Sequence, residues 1–315
     1  MSKSIEDTLK SIPVISHLVV FFQKIKLPGF EGLTVYDLLE LYGIGIVKGT
    51  LTTRASAIAF SFFTAIFPFL LFIIILIPTI PISGFQDQFL DFLQSFLPPQ
   101  TSGFFMDTIF QNLEGNSQAG LLSSVFLLSM FLMANGVNAV FSGFENSYHQ
   151  QLTRNVFQQY LYALGVAVIL VLLVLLTVAV FIYTQVYVIT PLNEVMGGEQ
   201  VSDKKYILLA KYLFFVIMVY IATATLYYFG TKEGRQTRFF SIGALLTTLL
   251  IILTSYLFGI YIDNFSKYNE LYGSIGALLI LLLYSWLNAN ILLLGYELNA
   301  TLRGLHKRNK VLNNE

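Results

Sequence analysis

Residues Leu271 to Leu294 form a run of 24 with no ionisable side chain other than Tyr272 and Tyr284. At ~1.5 Å per residue a helix of that length rises about 36 Å, enough to cross a hydrocarbon core about 30 Å thick. In lipid the backbone must satisfy its own polar groups, so the run folds as a helix. Three residues beyond it stands Glu297, still between Tyr296 and Leu298, followed by a basic tail. A carboxylate at that depth needs a cation or access to the headgroups.

Five more apolar runs precede this one, at about 55–80, 119–141, 161–183, 206–230 and 239–262. Only 11% of residues are charged, against roughly 25% in soluble domains. Such a chain would expose too much apolar surface in water, and its mean hydropathy of +0.71 agrees. The fold class read from these runs is all-α and polytopic, with six transmembrane helices. Pro68 lies inside the first run, where a kink is expected. Gly243, Thr247 and Ser255 give the fifth a small-residue face suited to close helix packing.

The spans divide the chain into an N-terminal part, 1–53, a membrane domain, 54–303, and a basic tail, 304–315. The N-terminal part reads as cytoplasmic amphipathic helices, with Thr34-Val35-Tyr36-Asp37 as a capping box. Its apolar stretch, Val14 to Phe22, is too short to span and lacks the small-residue cleavage site of a signal peptide. Residues 81–118 hold no Lys or Arg, and Phe85, Phe89, Phe92, Leu93 and Phe96 recur at helical spacing. They read as an extracytoplasmic amphipathic segment. With the N-terminus inside, fourteen of the eighteen Lys and Arg fall on the cytoplasmic side. Both termini are therefore expected in the cytoplasm.

The chemistry the chain can carry is narrow. It has no cysteine, hence no disulfide, thiolate metal site or Cys nucleophile. His17, His149 and His306 are scattered and belong to no metal-ligand motif, and there is no P-loop. No enzyme, cofactor or metal is expected. The net charge is zero, and the basic loop at 231–238 follows from topology, so no nucleic-acid partner is expected either. What remains is a candidate polar cluster at membrane depth: Arg54, Asn135, Asn138, Glu145, Asn290 and Glu297. Asn138 and Glu145 are seven apart, as are Asn290 and Glu297, which places each pair on one helix face. Arg54 between the two acids is electrostatically sensible. A tie between three helix ends and a substrate or proton site are both compatible with it.

The runs RASAIAFSFFTAIFPFLL, GVNAVFSGFENSYH and YGSIGALLILLLYSWLNANILLLGYELNA resemble the YihY/BrkB family of bacterial inner-membrane proteins. The matching positions are Arg54, Pro68, Tyr272, Gly273, Gly295 and Glu297. Tyr296 stands where that family usually has Ala, and Gly230 stands near the place of a frequent proline. The resemblance implies six spans with both ends inside. The family has carried a ribonuclease label, and has been tied to serum resistance and to envelope lipid transport.

The leading functional expectation is a transporter or flippase-like protein acting on lipids or other amphipathic molecules, with membrane lipids as its partners. The alternative is a non-transporting scaffold for an envelope assembly; a membrane ribonuclease ranks far below both. The sequence sets no oligomeric state. The charge bias makes one direct prediction: in Ser102→Cys, an impermeant thiol reagent added outside intact cells should label the protein. Labelling only after the cytoplasm is opened would overturn the orientation.

Overall fold

The computed structural model describes residues 21–25, 34, 36, 37, 39, 50–76, 87, 91, 119–145, 155–185, 187, 200–236, 238–265 and 274–312. Six long helices account for most of them: α1 (Thr50–Leu76), α2 (Ala119–Glu145), α3 (Val156–Thr184), α4 (Gln200–Gly230), α5 (Ile242–Phe265) and α6 (Ser274–Leu312). A 3-10 turn, Glu233–Gln236, joins α4 to α5.

Among the described residues, five helical stretches are long and apolar enough to cross a membrane: Leu127–Glu145, Val156–Thr184, Ile207–Gly230, Ile242–Ile262 and Leu278–His306. They coincide with the second to sixth runs read from the sequence. The protein is therefore an all-helical, multi-pass membrane protein. The first run corresponds to α1, which continues without a break through Pro68. At the N-terminus, Thr34 and Asp37 make the reciprocal bonds of a capping box. Asp37 Oδ2 accepts from the Thr34 amide at 2.8 Å and the Thr34 hydroxyl at 2.7 Å, while the Asp37 amide donates to Thr34 Oγ1 at 3.2 Å. Most of the expected amphipathic segment at 81–118 lies outside the described residues. Of its acids, Asp87 and Asp91 are described, and both are exposed.

The helices pack as a bundle in which α1 lies against α2 and α6, α2 against α3, α3 against α4, and α5 against α4 and α6. In α3 the buried positions Ala163, Val166, Ala167, Val171, Leu175, Val178 and Ile182 recur every three or four residues, forming one face. In α5 the ordinary sense of burial is reversed. Gly243, Ala244, Thr247 and Thr248 are buried, whereas Leu245, Leu249, Leu253 and Leu257 are exposed. Lipid solvates leucine as well as a protein interior does, so helices associate through small residues that permit close contact and through hydrogen bonds.

The tightest of these contacts joins α5 to α6. A Cβ on Gly243 would collide with the Gly295 carbonyl and the Asn299 side chain. One on Gly295 would collide with Thr247 Oγ1 and the Tyr227 hydroxyl. A Cβ on Gly259, also on α5, would meet nothing within 4 Å. Gly295→Ala should therefore force the two helices apart at a cost of about 1–3 kcal/mol, the usual range for overpacking. Gly259→Ala should leave stability unchanged or slightly raised. Thermal unfolding of the purified protein in detergent compares the two, and equal melting temperatures would refute the close packing.

Candidate functional site

One end of the bundle collects the start of α1, the end of α2, the start of α3, the end of α4, the start of α5 and the C-terminal half of α6. Most interhelical side-chain bonds among the described residues lie there.

Arg54, in the second turn of α1, is central to it. Its Nη2 lies 3.0 Å from Glu297 Oε1 on α6, and the two side chains are only 12% and 9% exposed. Its Nη1 donates to the Gly143 carbonyl at 2.9 Å. Gly143 lies in the last turn of α2, where carbonyls have no partner in their own helix and the helix dipole is negative. One planar guanidinium thus ties three helices together, because its fork reaches two acceptors at once. Close packing brings the acceptor within reach: a Cβ at Gly143 would press on Ile58 and Leu293.

The other candidate residues are placed as follows. Glu145 closes α2, two residues beyond Gly143, and is 1% exposed. Asn138 is half-buried and Asn135 exposed, so the Asn135 end of the polar stripe on α2 faces out of the bundle. Asn290 donates to the Trp286 carbonyl one turn back in its own helix at 2.8 Å. It lies about 10 Å along α6 from Glu297, by the helical rise. The structure joins Arg54 and Glu297 directly and does not bring Asn135 or Asn290 to them.

A second set of polar side chains, not read from the sequence as a hydrogen-bonded network, continues the same end. The Tyr227 hydroxyl on α4 donates to the Leu292 carbonyl on α6 at 2.7 Å, and Thr247 of α5 supplies its other bond at 2.6 Å. Thr231 pairs with the Tyr296 hydroxyl at 2.8 Å and accepts from the Gly234 amide at 3.0 Å. The Tyr296 ring, 1% exposed, stacks on Phe144 with centroids 4.2 Å apart and planes 9° from parallel. Asn299 of α6 accepts from the Gly243 amide at 2.9 Å and donates to Ser241 at 2.8 Å. Ser241 in turn accepts from the Ala244 amide at 3.3 Å. The first turn of α5 is therefore capped twice, by its own serine and by an asparagine from another helix. Ser241 directly ahead of an apolar run is a legible N-cap signal. The trans cap has no local sequence signal.

Chemically, this arrangement is a desolvated, internally bonded closure of one end of the bundle. Among the described residues no three His, Cys, Asp or Glu side chains come close enough to hold a metal ion. His306 is exposed; His17 and His149 lie outside the described residues.

Comparison with known proteins supplies the family context. The profile described as Virulence factor BrkB matches residues 45–314. A relative in Bacillus subtilis (strain 168), named "Putative ribonuclease-like protein YfkH", is 26% identical over 270 residues, covering 82% of this chain and 91% of its own. A UPF0761 membrane protein of Psychrobacter sp. (strain PRwf-1) is 35% identical over 77 residues, 24% of this chain and 14% of the relative. A UPF0761 membrane protein of Xanthomonas oryzae pv. oryzae (strain PXO99A) is 40% identical over 60 residues, 19% of this chain and 14% of the relative. No solved structure matches.

The ion pair predicts a coupling. Removing either partner strands a largely buried charge, which costs about 3–5 kcal/mol in comparable sites. Glu297→Gln and Arg54→Ala should each lower the melting temperature in detergent. The double variant should be less impaired than the two losses summed. Arg54→Lys should recover only part of the loss, since a point charge lacks the two-pronged fit. Strict additivity in the cycle would show that the pair contributes nothing.

Proposed function

The chain belongs to the Virulence factor BrkB family, and on that premise we propose that it is a transporter or flippase-like protein for lipids or other amphipathic molecules. It sits in a bacterial plasma membrane, with α1 as a sixth span and both termini cytoplasmic. It has no catalytic role; the ribonuclease-like wording in the name of the Bacillus subtilis relative is a statement about that protein.

The observation that carries this reading is the uneven packing of α4. Within its described stretch, Ile207–Gly230, every buried residue lies at or beyond Thr223. The preceding four turns present Leu208, Leu209, Tyr212, Leu213 and Ile217 to the outside, between 44% and 67% exposed. Phe214, half-buried, meets Phe181 of α3 edge-on with centroids 6.1 Å apart. Among the described residues, then, α4 is fully buried only at one end, and along the rest it meets the core through the partly buried Ile207, Ala210, Phe214 and Tyr220. A helix anchored at one end can part from its neighbours on the other, and such a lateral opening would admit a molecule that is half apolar. The polar closure at the buried end supplies a barrier.

A scaffold is the second reading. It is favoured by the way the polar groups at that end bond to one another between helices. Reconstitution separates the two. Vesicles holding the purified protein and a headgroup-labelled fluorescent phospholipid are treated with an impermeant bleaching agent. The protein should raise the bleached fraction above that of protein-free vesicles, with or without an imposed ion gradient, and Glu297→Gln should change the rate. Bleaching equal to the protein-free control in every condition would reject transport in favour of the scaffold.

A further inference from the structure

A groove of about 740 Å³ runs along the outside of the bundle between α3 and the end of α4. Its mouth holds two cations, Lys232 and Arg235, both exposed. Neither forms an ion pair with a carboxylate among the described residues. Arg235 is held in place by aromatic faces, its guanidinium carbon 4.8 Å from the centroid of the Tyr162 ring and 5.8 Å from that of Phe229. Glu233 stands between the two cations in sequence, but it does not line the groove and its Oε2 is buried.

The floor of the groove is apolar. Leu161, Gly165 and Ile169 follow one another at four-residue intervals along α3, and a Cβ built on Gly165 would meet nothing within 4 Å. Gly165 thus leaves a trough between two exposed side chains, 60% and 43% accessible. The apolar face continues through Leu172 and Leu176, both more than half exposed. From Leu161 to Leu176 the axis advances about 22 Å at ~1.5 Å per residue, more than the ~15 Å of one leaflet of hydrocarbon.

We infer that this groove is a binding site for an anionic glycerophospholipid, with the phosphate on Lys232 and Arg235 and one acyl chain along Leu161, Gly165 and Ile169. Charge and shape both point to that occupant. A free anion would use the two cations and leave the trough empty, whereas a neutral lipid would fill the trough and leave two cations without a counter-charge. A basic loop at a membrane face draws anionic lipid in general; the groove converts that attraction into one place and one orientation. The site is independent of the transport reading, because a bound structural lipid and a moving substrate are different events.

Native mass spectrometry of the full-length protein in detergent, given equal amounts of phosphatidylglycerol and phosphatidylcholine with matched chains, provides the test. The wild type should retain phosphatidylglycerol in preference. Lys232→Ala with Arg235→Ala should lower its retention by about thirtyfold, two surface cations' worth of attraction. Lys232→Arg should preserve it. Gly165→Leu, which fills the trough, should also abolish the preference, while Gly259→Leu, a substitution at another open helical glycine, should not. Inorganic phosphate at the same concentration should fail to displace the lipid. The inference is overturned if the wild type shows no preference, if the double variant retains as much lipid as the wild type, or if phosphate alone displaces it. The last result would assign the cations to a free anion. A null result in the vesicle assay alone would leave this site standing.

Discussion

The structure depends on how closely the backbones of α5 and α6 approach at Gly243 and Gly295. Lipid gives helices no hydrophobic reason to associate, so contact must come from dispersion at short range and from hydrogen bonds. Two facing glycines allow both. With the backbones this near, Asn299 reaches the first turn of α5, and Thr247 and Tyr227 meet over Leu292. A methyl group at either glycine would remove those contacts along with the packing. The exposed leucines of α5 contribute to solubility in the bilayer and little to the bundle.

Charge adds to this at one point. The Arg54–Glu297 pair is nearly removed from water, and such a pair gains little over an apolar substitute while costing much when half of it is lost. Its value is better described as specification than as stability. The guanidinium fixes which turn of α1 meets which turn of α6, and the Gly143 carbonyl fixes α2 against both. Tyr296 has a similar effect through shape: a large ring, stacked on Phe144 and tethered to Thr231, fills space that a small residue would leave between α2, α4 and α6.

Much of this was legible in the sequence because lipid imposes simple rules. Runs of apolar residues marked the five helices that meet the length and composition of a span, and Gly243, Thr247 and Ser255 marked the packing face of α5. Ser255 indeed shares a bond with Tyr284 of α6 at 2.6 Å. The contact between Arg54 and Glu297 followed from electrostatics alone, since each needed a partner on the same side. Asn135 and Asn290 were harder to place. Helical spacing says which residues share a face, but not whether that face meets a helix or lipid, nor whether an amide will turn back on its own carbonyls. The network of Tyr227, Thr231 and Asn299 was invisible for a further reason: its bonds to and from α6 span 56 to 65 positions, and single tyrosines and threonines are common in membrane helices.

The trans cap on α5 has a bearing on how the protein is made. Asn299, Tyr296 and Glu297 lie on about one turn of α6, and they supply partners to α5, to Thr231 just beyond α4, and to α1 respectively. The other five helices leave the ribosome first. Arg54 precedes Glu297 by 243 positions, so at roughly 5–20 residues per second it waits about 12–50 seconds for its carboxylate. Until α6 arrives, the amide of Gly243 and the Nη2 end of the Arg54 guanidinium must be served by water, headgroups or the translocation machinery. Arrival of the last helix closes all three at once, which makes assembly of this end of the bundle a single late event in biosynthesis.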